Sequence, residues 1–170
     1  SLSEGPHYIS FELKPLLELS TDVMQEKFAS QNISTTISCD ESLRLHGPSQ
    51  MFVDVCEELV LNSILHAQRE HQELKLWWKV ESQEGMIRIN YADNGVGYQN
   101  DILATALDPF VTSKRGAGHS GLGLTVVYNV ITRVFGGRMT IANSDDPLSK
   151  GALCSVFLPD LDAGDEPAKA

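Results

Sequence analysis

The chain has 170 residues, of which 42% are hydrophobic and 21% are charged, as is typical of one soluble globular domain. Its formal net charge of −10 argues against a domain that binds nucleic acid by neutralising phosphates, but is compatible with a local site for one nucleotide. No apolar run approaches the roughly 20 residues that cross a bilayer, and the polar N-terminal segment does not resemble a signal peptide.

The three cysteines are far apart and have neither zinc nor disulfide spacing, which favours a reducing cytoplasm. The final segment, DLDAGDEPAKA, has four acids and one lysine and predicts a disordered tail. We therefore expect a linker over residues 1–10, one domain over 11–159 and the acidic tail over 160–170.

The first half of the chain predicts two helices separated by a strand. Apolar residues at helical spacing predict a helix from Phe11 to Ser30, and alternating β-branched residues predict a strand from Ile33 to Ser38. A second helical pattern follows Pro48 and runs from Met51 to about Ala67.

The second half predicts a hairpin, a long loop, a helix and two more strands. Alternation predicts strands at Leu74–Val80 and Ile87–Tyr91, joined by a turn at Ser82–Gly85. After the polar, glycine-rich loop, the last predicted elements are a helix with a Gly136-Gly137 C-cap and two strands: Leu124–Val134, Arg138–Asn143 and Ala152–Leu158. This order predicts an α/β fold in which helices pack on one mixed sheet.

The second helix carries four polar residues at intervals of four, which places them in one row on its surface: Asp54, Glu58, Asn62 and His66. Asn62 lies among apolar residues, where a buried amide costs about 1–3 kcal/mol unless it finds partners. One interpretation is that its oxygen coordinates Mg²⁺ while Glu58 orients or deprotonates a nucleophile. The alternative is a plain polar stripe at the helix edge.

The segment Tyr91–Gly97 places an acid, Asp93, at a strand end and a glycine-rich turn after it. A buried carboxylate there is suited to accept a hydrogen bond from an exocyclic amine such as that of adenine. Gly95 and Gly97 allow a ligand to approach the backbone closely. The alternative is an ordinary Asn-Gly turn.

The long loop has glycines at 116, 118, 121 and 123 and leads directly into a helix. Unpaired amides at a helix N-terminus favour phosphate, and Lys114 and Arg115 add local positive charge. The alternative is a flexible linker. The chain has neither the P-loop pattern nor the dinucleotide-binding pattern.

Together and in this order, the motifs resemble the GHKL ATPase superfamily and, within it, the catalytic ATP-binding domain of sensor histidine kinases. The segments that resemble its N box, first glycine box, F box, second glycine box and terminal strand are Glu58–Ser63, Asp93–Gly97, Asp108–Lys114, Gly118–Leu124 and Gly151–Pro159. The resemblance covers roughly residues 11–159. It implies the Bergerat fold, a two-layer α/β sandwich with a mostly antiparallel sheet, helices on one face and a flexible ATP lid.

The resemblance also implies a role for each matching residue. Asn62 would hold Mg²⁺ between the phosphates, with His66 near them. Asp93 would bind the adenine amine, and Gly95 and Gly97 would leave room for the adenosine. The lid and the helix start would supply the other ATP contacts: Phe110, Thr112, Lys114, Gly118, Ser120, Gly121, Leu122 and Gly123.

Two positions depart from the family pattern. Leu65 occupies a site that is often basic, and Ala152 replaces a threonine, which removes one water-mediated contact near adenine. No histidine of the chain lies in the phosphoacceptor motif of these kinases. The resemblance therefore implies an acceptor hairpin upstream in a longer, dimeric parent protein, with this domain on the cytoplasmic side and a response regulator downstream.

Three functions stay open on the sequence alone. The first, favoured by the kinase-like lid and terminal strand, is donation of the ATP γ-phosphate to a histidine on a separate hairpin. The second is an ATPase switch of the mismatch-repair or chaperone type, in which Glu58 activates water. The third is a module that holds a nucleotide without chemistry.

Overall fold

The computed structural model describes residues 7–66, 72–105, 120–147 and 150–161. In chain order its elements are β1 (Ile9–Glu12), α1 (Leu13–Lys27), β2 (Ile33–Ser38), β3 (Arg44–Gly47), α2 (Ser49–His66), β4 (Leu74–Gln83), β5 (Met86–Asp93), α3 (Asn100–Thr105), α4 (Ser120–Asn129), a π-helical turn (Val130–Val134), β6 (Arg138–Asn143) and β7 (Ala152–Pro159). In the part of the chain so described, no helix has the length and apolar composition needed to cross a membrane.

Five strands form the main sheet in the order β2-β4-β5-β7-β6. β2 runs parallel to β4, and every other neighbouring pair is antiparallel. The central strand β5 ends at Asp93, so this carboxylate lies at the edge of the sheet between β4 and β7. The predicted hairpin and the mixed, mostly antiparallel sheet are confirmed.

Helices cover one face of the sheet, as the alternation in β4 shows. Leu76, Trp78 and Val80 are buried, whereas Lys75 and Lys79 are exposed. The buried face packs against α1, α2 and α4, and the three helices share one hydrophobic core with it. The predicted two-layer α/β sandwich is therefore confirmed.

The prediction for the first helix is wrong at both ends. Residues Ile9–Glu12 form β1, which pairs antiparallel with β3 in a separate two-stranded sheet, and α1 ends at Lys27. Phe11 is buried against the same core as the helix that follows it. Its position therefore matches the apolar spacing of that helix although Phe11 itself is in an extended strand. The strand β3 was also not predicted, because four residues carry too short an alternation to detect.

Two further differences lie in the second half. A short helix, α3, forms inside the predicted loop, and the last helix changes from α-helical to π-helical hydrogen bonding at Val130. The helix ends where predicted: Gly136 has a φ of +67°, and the amide of Gly137 donates to the Ile131 carbonyl across 2.9 Å.

Candidate functional site

The carboxylate of Asp93 is the centre of the site and is 2% exposed. Oδ1 accepts hydrogen bonds from the backbone amides of Gly95 and Ala152, at 2.9 and 3.1 Å. Oδ2 accepts one from the Ser63 hydroxyl at 2.7 Å. Three neutral donors thus compensate the buried charge and fix the plane of the carboxylate.

The hydroxyl of Tyr91 contacts the hydroxyl of Ser63. Ser63 Oγ and the Tyr91 hydroxyl lie 2.7 Å apart, and both side chains are 3% exposed. Burial raises the pKa of the Tyr91 phenol well above its ordinary value, so the hydroxyl keeps its proton at neutral pH. This chain of hydrogen bonds ties α2 to the end of β5.

Glycine is required at two positions around Asp93. A Cβ atom on Gly151 would lie 2.6 Å from Asp93 Oδ1 and 2.7 Å from the amide of Gly95. Gly97 has a φ of +80°, and a Cβ there would lie 2.7 Å from Asn143 Oδ1. The strand β7 and the turn after β5 are therefore in direct backbone contact at the carboxylate.

The turn after Asp93 is held by the side chain of Asn143 at the end of β6. The amide of Tyr98 donates to Asn143 Oδ1 at 2.7 Å, and Asn143 Nδ2 donates to the Tyr98 carbonyl at 2.9 Å. The side-chain amide of Asn143 thus bonds both the N–H and the C=O of Tyr98, as a residue of a neighbouring strand does. Burial, together with nearby Cys154 and Asp93, raises the pKa of the Tyr98 phenol well above its ordinary value.

The polar row on α2 divides into an inner pair and two outer residues. Asp54 and His66 are exposed, whereas Glu58 and Asn62 face the first turn of α4. A Cβ atom on Gly123 would lie 2.9 Å from Oε2 of Glu58 and 3.4 Å from both Oδ1 and Nδ2 of Asn62. A side chain at position 123 would therefore displace the Glu58 carboxylate, and glycine leaves both polar side chains room beside the first turn of α4.

Asn62 carries the one metal-binding prediction, and its surroundings fit that role. The ligand would be its Oδ1 atom, whereas its buried Nδ2 atom, which has no hydrogen-bond partner among the described residues, is a donor and suits a phosphate oxygen rather than the ion. The same part of the chain has no cluster of three or more histidine, cysteine or acidic residues that could hold a metal ion. Since Mg²⁺ is usually held by one or two protein ligands together with phosphates and waters, a single Asn62 oxygen beside the α4 N-terminus is suited to it.

The structure therefore brings together most of the predicted site residues that it describes. Glu58, Asn62 and Gly123 converge at the junction of α2 and α4, and Asp93, Gly95 and Gly97 form the turn at the end of β5. Phe110, Thr112, Lys114 and Gly118 lie outside the described residues. Ser120, Gly121 and Leu122 begin α4, but their side chains are not among those described.

Some functional residues were not predicted. Ser63 lies beside the polar row rather than in it, and its only sequence signal is its polarity among apolar neighbours. The departure at Ala152 has a structural consequence that the sequence did not reveal: its backbone amide, which any residue but proline supplies, contacts Asp93 directly. Leu65 is 59% exposed and is not one of the buried core residues.

Residues 47–162 match the family described as histidine kinase-, DNA gyrase B-, and HSP90-like ATPase. The chain belongs to this family. The GHKL resemblance predicted from the motifs is confirmed.

Several of the curated relatives that match are sensor histidine kinases. The chain is 26% identical over 152 residues to the signal transduction histidine-protein kinase BaeS of Escherichia coli K12, covering 87% of this chain and 31% of that protein. It is 28% identical over 153 residues to the sensor histidine kinase ZraS of Klebsiella oxytoca, covering 89% of this chain and 31% of that protein. The chain thus spans about a third of the length of these relatives.

Several solved structures of similar fold are catalytic domains of histidine kinases. The nucleotide-free catalytic domain of ThkA superposes with a TM-score of 0.74 at 20% identity, over 91% of this chain and 97% of that one. This likeness confirms the Bergerat fold. The two curated relatives and the solved structure named here are all histidine kinases, and none of them is a mismatch-repair protein or a chaperone.

Proposed function

We propose that this domain binds ATP with its adenine at Asp93 and donates the γ-phosphate to a histidine on a separate helical hairpin of the same sensor kinase. The buried carboxylate is the observation that carries this proposal. A carboxylate has about four acceptor positions, and protein donors occupy three of them in Asp93, two on Oδ1 and one on Oδ2. The remaining position on Oδ2 suits the exocyclic amine of adenine.

The backbone around Asp93 supports a base in this position. Gly95 and Gly97 present no side chain to a ligand, and the Asn143 amide holds their turn against β6. Guanine and hypoxanthine carry a carbonyl where adenine carries its amine, so they would meet the carboxylate with an acceptor instead of a donor. The site is therefore expected to select adenine nucleotides.

The junction of α2 and α4 is proposed to bind the phosphates. Amides at the first turn of α4 favour negative charge, and Asn62 would hold a magnesium ion beside them. When bound, that ion neutralises the charge that develops on the phosphates during transfer. His66, Phe110, Thr112, Lys114 and Gly118 are proposed further contacts from the family resemblance.

The proposed reaction is in-line phosphoryl transfer. A ring nitrogen of the acceptor histidine attacks the γ-phosphorus, the bond to the β–γ bridging oxygen breaks, and ADP leaves as phosphohistidine forms. Glu58, one turn from Asn62 on the same side of α2, is positioned to orient the imidazole and to accept its proton. The protein contributes mainly positioning and charge stabilisation.

The parent protein is proposed to be a dimeric sensor kinase with this domain in the cytoplasm. A solved structure that is similar in fold shows the histidine kinase ThkA in complex with the response regulator protein TrrA, with a TM-score of 0.71 at 19% identity. We infer that the phosphohistidine formed here is likewise consumed by a response regulator.

A phosphotransfer assay tests this function. The domain is mixed with Mg²⁺, radiolabelled ATP and a separately produced kinase hairpin, with the same hairpin carrying glutamine in place of its histidine as the control. Acid-labile label on the histidine hairpin alone is the expected result. Phosphate release without hairpin labelling, abolished by Glu58→Gln, would instead support the ATPase switch, and binding without either reaction would support a nucleotide-holding module.

A further inference from the structure

We propose that Tyr91 is a positioning residue for base selection: its hydroxyl fixes the direction of the Ser63 hydroxyl and thereby keeps Oδ2 of Asp93 as a hydrogen-bond acceptor. This inference rests on the proposed function, because it takes Asp93 to be the group that binds the base. Tyr91 itself does not touch the nucleotide in this account.

The direction of the two hydrogen bonds follows from counting protons. An ionised carboxylate can only accept hydrogen bonds, so the Ser63 hydroxyl must donate its one proton to Oδ2 of Asp93, 2.7 Å away. Ser63 Oγ then faces the Tyr91 hydroxyl at 2.7 Å with no proton left to give. Tyr91 is therefore the donor, and the order is Tyr91 to Ser63 to Asp93.

Packing holds this order in place. The Tyr91 and Ser63 side chains are each 3% exposed, so bulk water has little access to the contact between the two hydroxyls and does not readily replace a missing donor there. The ring of Tyr91 packs against the ring of Trp78, with 4.5 Å between the centroids. The phenol is thus fixed by the core of the sheet, while the serine that it contacts belongs to α2.

Removing the phenol hydroxyl releases Ser63. A serine in a helix can turn its hydroxyl to the carbonyl four residues earlier, and without the Tyr91 donor Ser63 would divide its proton between Asp93 and the Leu59 carbonyl. Asp93 would lose part of the hydrogen bond that stabilises its charged form on Oδ2. Its discrimination between an amine and a carbonyl on the base would fall.

The experiment measures affinity for two nucleotides by calorimetry. ATP, as a non-hydrolysable analogue, presents an amine to Asp93, whereas the matching inosine nucleotide presents a carbonyl. In Tyr91→Phe we expect the affinity for the ATP analogue to fall about 5-fold, the effect of one neutral hydrogen bond, while the affinity for the inosine analogue stays unchanged. Ser63→Ala should lower the affinity for the ATP analogue at least as much. The double variant Y91F/S63A should bind this analogue with the same affinity as Ser63→Ala, because Tyr91 acts through Ser63.

The matched control is Ile89→Val, which removes one methylene two residues away on the same buried face of β5. It should lower stability to a similar degree and leave both affinities unchanged. Equal losses for both nucleotides in Tyr91→Phe, additive losses in the double variant, or losses equal to those of Ile89→Val would overturn the inference. If the wild-type protein binds no ATP analogue, the proposed function fails instead.

If Tyr91→Phe does not fold, the wild-type protein supplies the test through its hydroxyl protons. The expected result by nuclear magnetic resonance is a slowly exchanging Tyr91 hydroxyl proton close to the Ser63 side chain. A Tyr91 hydroxyl that exchanges as fast as that of Tyr8, which is 54% exposed, would overturn the proposed direction.

Discussion

The backbone amide of Ala152 donates a hydrogen bond to Oδ1 of Asp93 across 3.1 Å, although the two residues are 59 positions apart in the chain. The bond joins the first residue of β7 to the last residue of β5, which are neighbouring strands of the sheet. The orientation of the carboxylate therefore depends on correct pairing of the final strand. This side of the site is complete only when β7 is paired with β5.

Gly151→Ala tests this close contact. The added methyl would lie 2.6 Å from Asp93 Oδ1, and the backbone on both sides leaves it no room. We expect the free energy of unfolding to fall by about 1–3 kcal/mol, as for overpacked sites, and nucleotide affinity to fall with it. The control is Gly85→Ala, a turn residue with a φ of +77° and open space around it, which should lower stability by about 1 kcal/mol and leave binding intact. Unchanged binding in Gly151→Ala would show that the turn tolerates displacement.

Asn143→Ala tests the support of the turn after Asp93. Loss of both hydrogen bonds to Tyr98 should lower the free energy of unfolding by about 1–2 kcal/mol in urea titrations, and the Tyr98 amide should exchange faster with solvent. Asn143→Asp keeps the acceptor for that amide and should fall between the wild type and alanine. Equal exchange rates in all three proteins would contradict the role given to Asn143.

Asn62→Leu tests whether the buried amide is kept for binding rather than for stability. Because Nδ2 has no partner among the described residues, leucine should raise the free energy of unfolding by about 1 kcal/mol. It should also abolish the magnesium-dependent part of ATP binding. Asn129→Leu is the matched control, since Asn129 Oδ1 is likewise buried and unpartnered in the described chain, and it should raise stability without affecting ATP. A destabilised Asn62→Leu would show that the amide is satisfied in the free protein.

Stability should decline in alkali because buried acids ionise more readily after unfolding. Burial raises the pKa of the Cys154 thiol from 9.0 to about 12. Its contribution is fully present below pH 9, and between pH 9 and 12 the unfolded state releases a proton that the folded state retains. The free energy of unfolding should fall by about 1.4 kcal/mol per pH unit for this thiol.

Urea titrations between pH 9 and 11 measure that slope. Cys154→Ala should make the fall of the free energy of unfolding with pH shallower by the contribution of one proton, about 1.4 kcal/mol per pH unit. Val156→Ala, which removes a buried side chain two residues along β7, should lower stability at every pH and leave the slope unchanged. Parallel slopes for Cys154→Ala and the wild type would mean that Cys154 does not retain its proton in the folded state.

The strongest sequence patterns predicted the fold and the core of the site. Strict alternation in Leu74–Val80 and Ile87–Tyr91 located the central hairpin, and Asp93 directly after it marked the sheet edge. The spacing of Glu58 and Asn62 placed both on one side of α2. These features are local, because each depends on the chemistry of residues within a few positions of one another.

The features that were not predicted depend on contacts between distant segments. Ser63 gains its role only because α2 packs over the end of β5, and Asn143 because β6 lies beside the turn at Gly97. The strand β1 was assigned to a helix because Phe11 is buried in either conformation. Hydrogen bonds that join separate elements leave no periodic signal in the sequence.

Binding of the ATP base by Asp93 can be measured by one calorimetric titration. The wild-type domain and Asp93→Asn are titrated with a non-hydrolysable ATP analogue in the presence of Mg²⁺, with folding of both verified by amide spectra. Since a hydrogen bond to a charged group contributes about 1.5–3 kcal/mol, we predict one site in the wild type and an affinity about 10- to 100-fold lower in the variant. Equal affinities in the two proteins, or no heat from the wild type at millimolar nucleotide, would contradict the account.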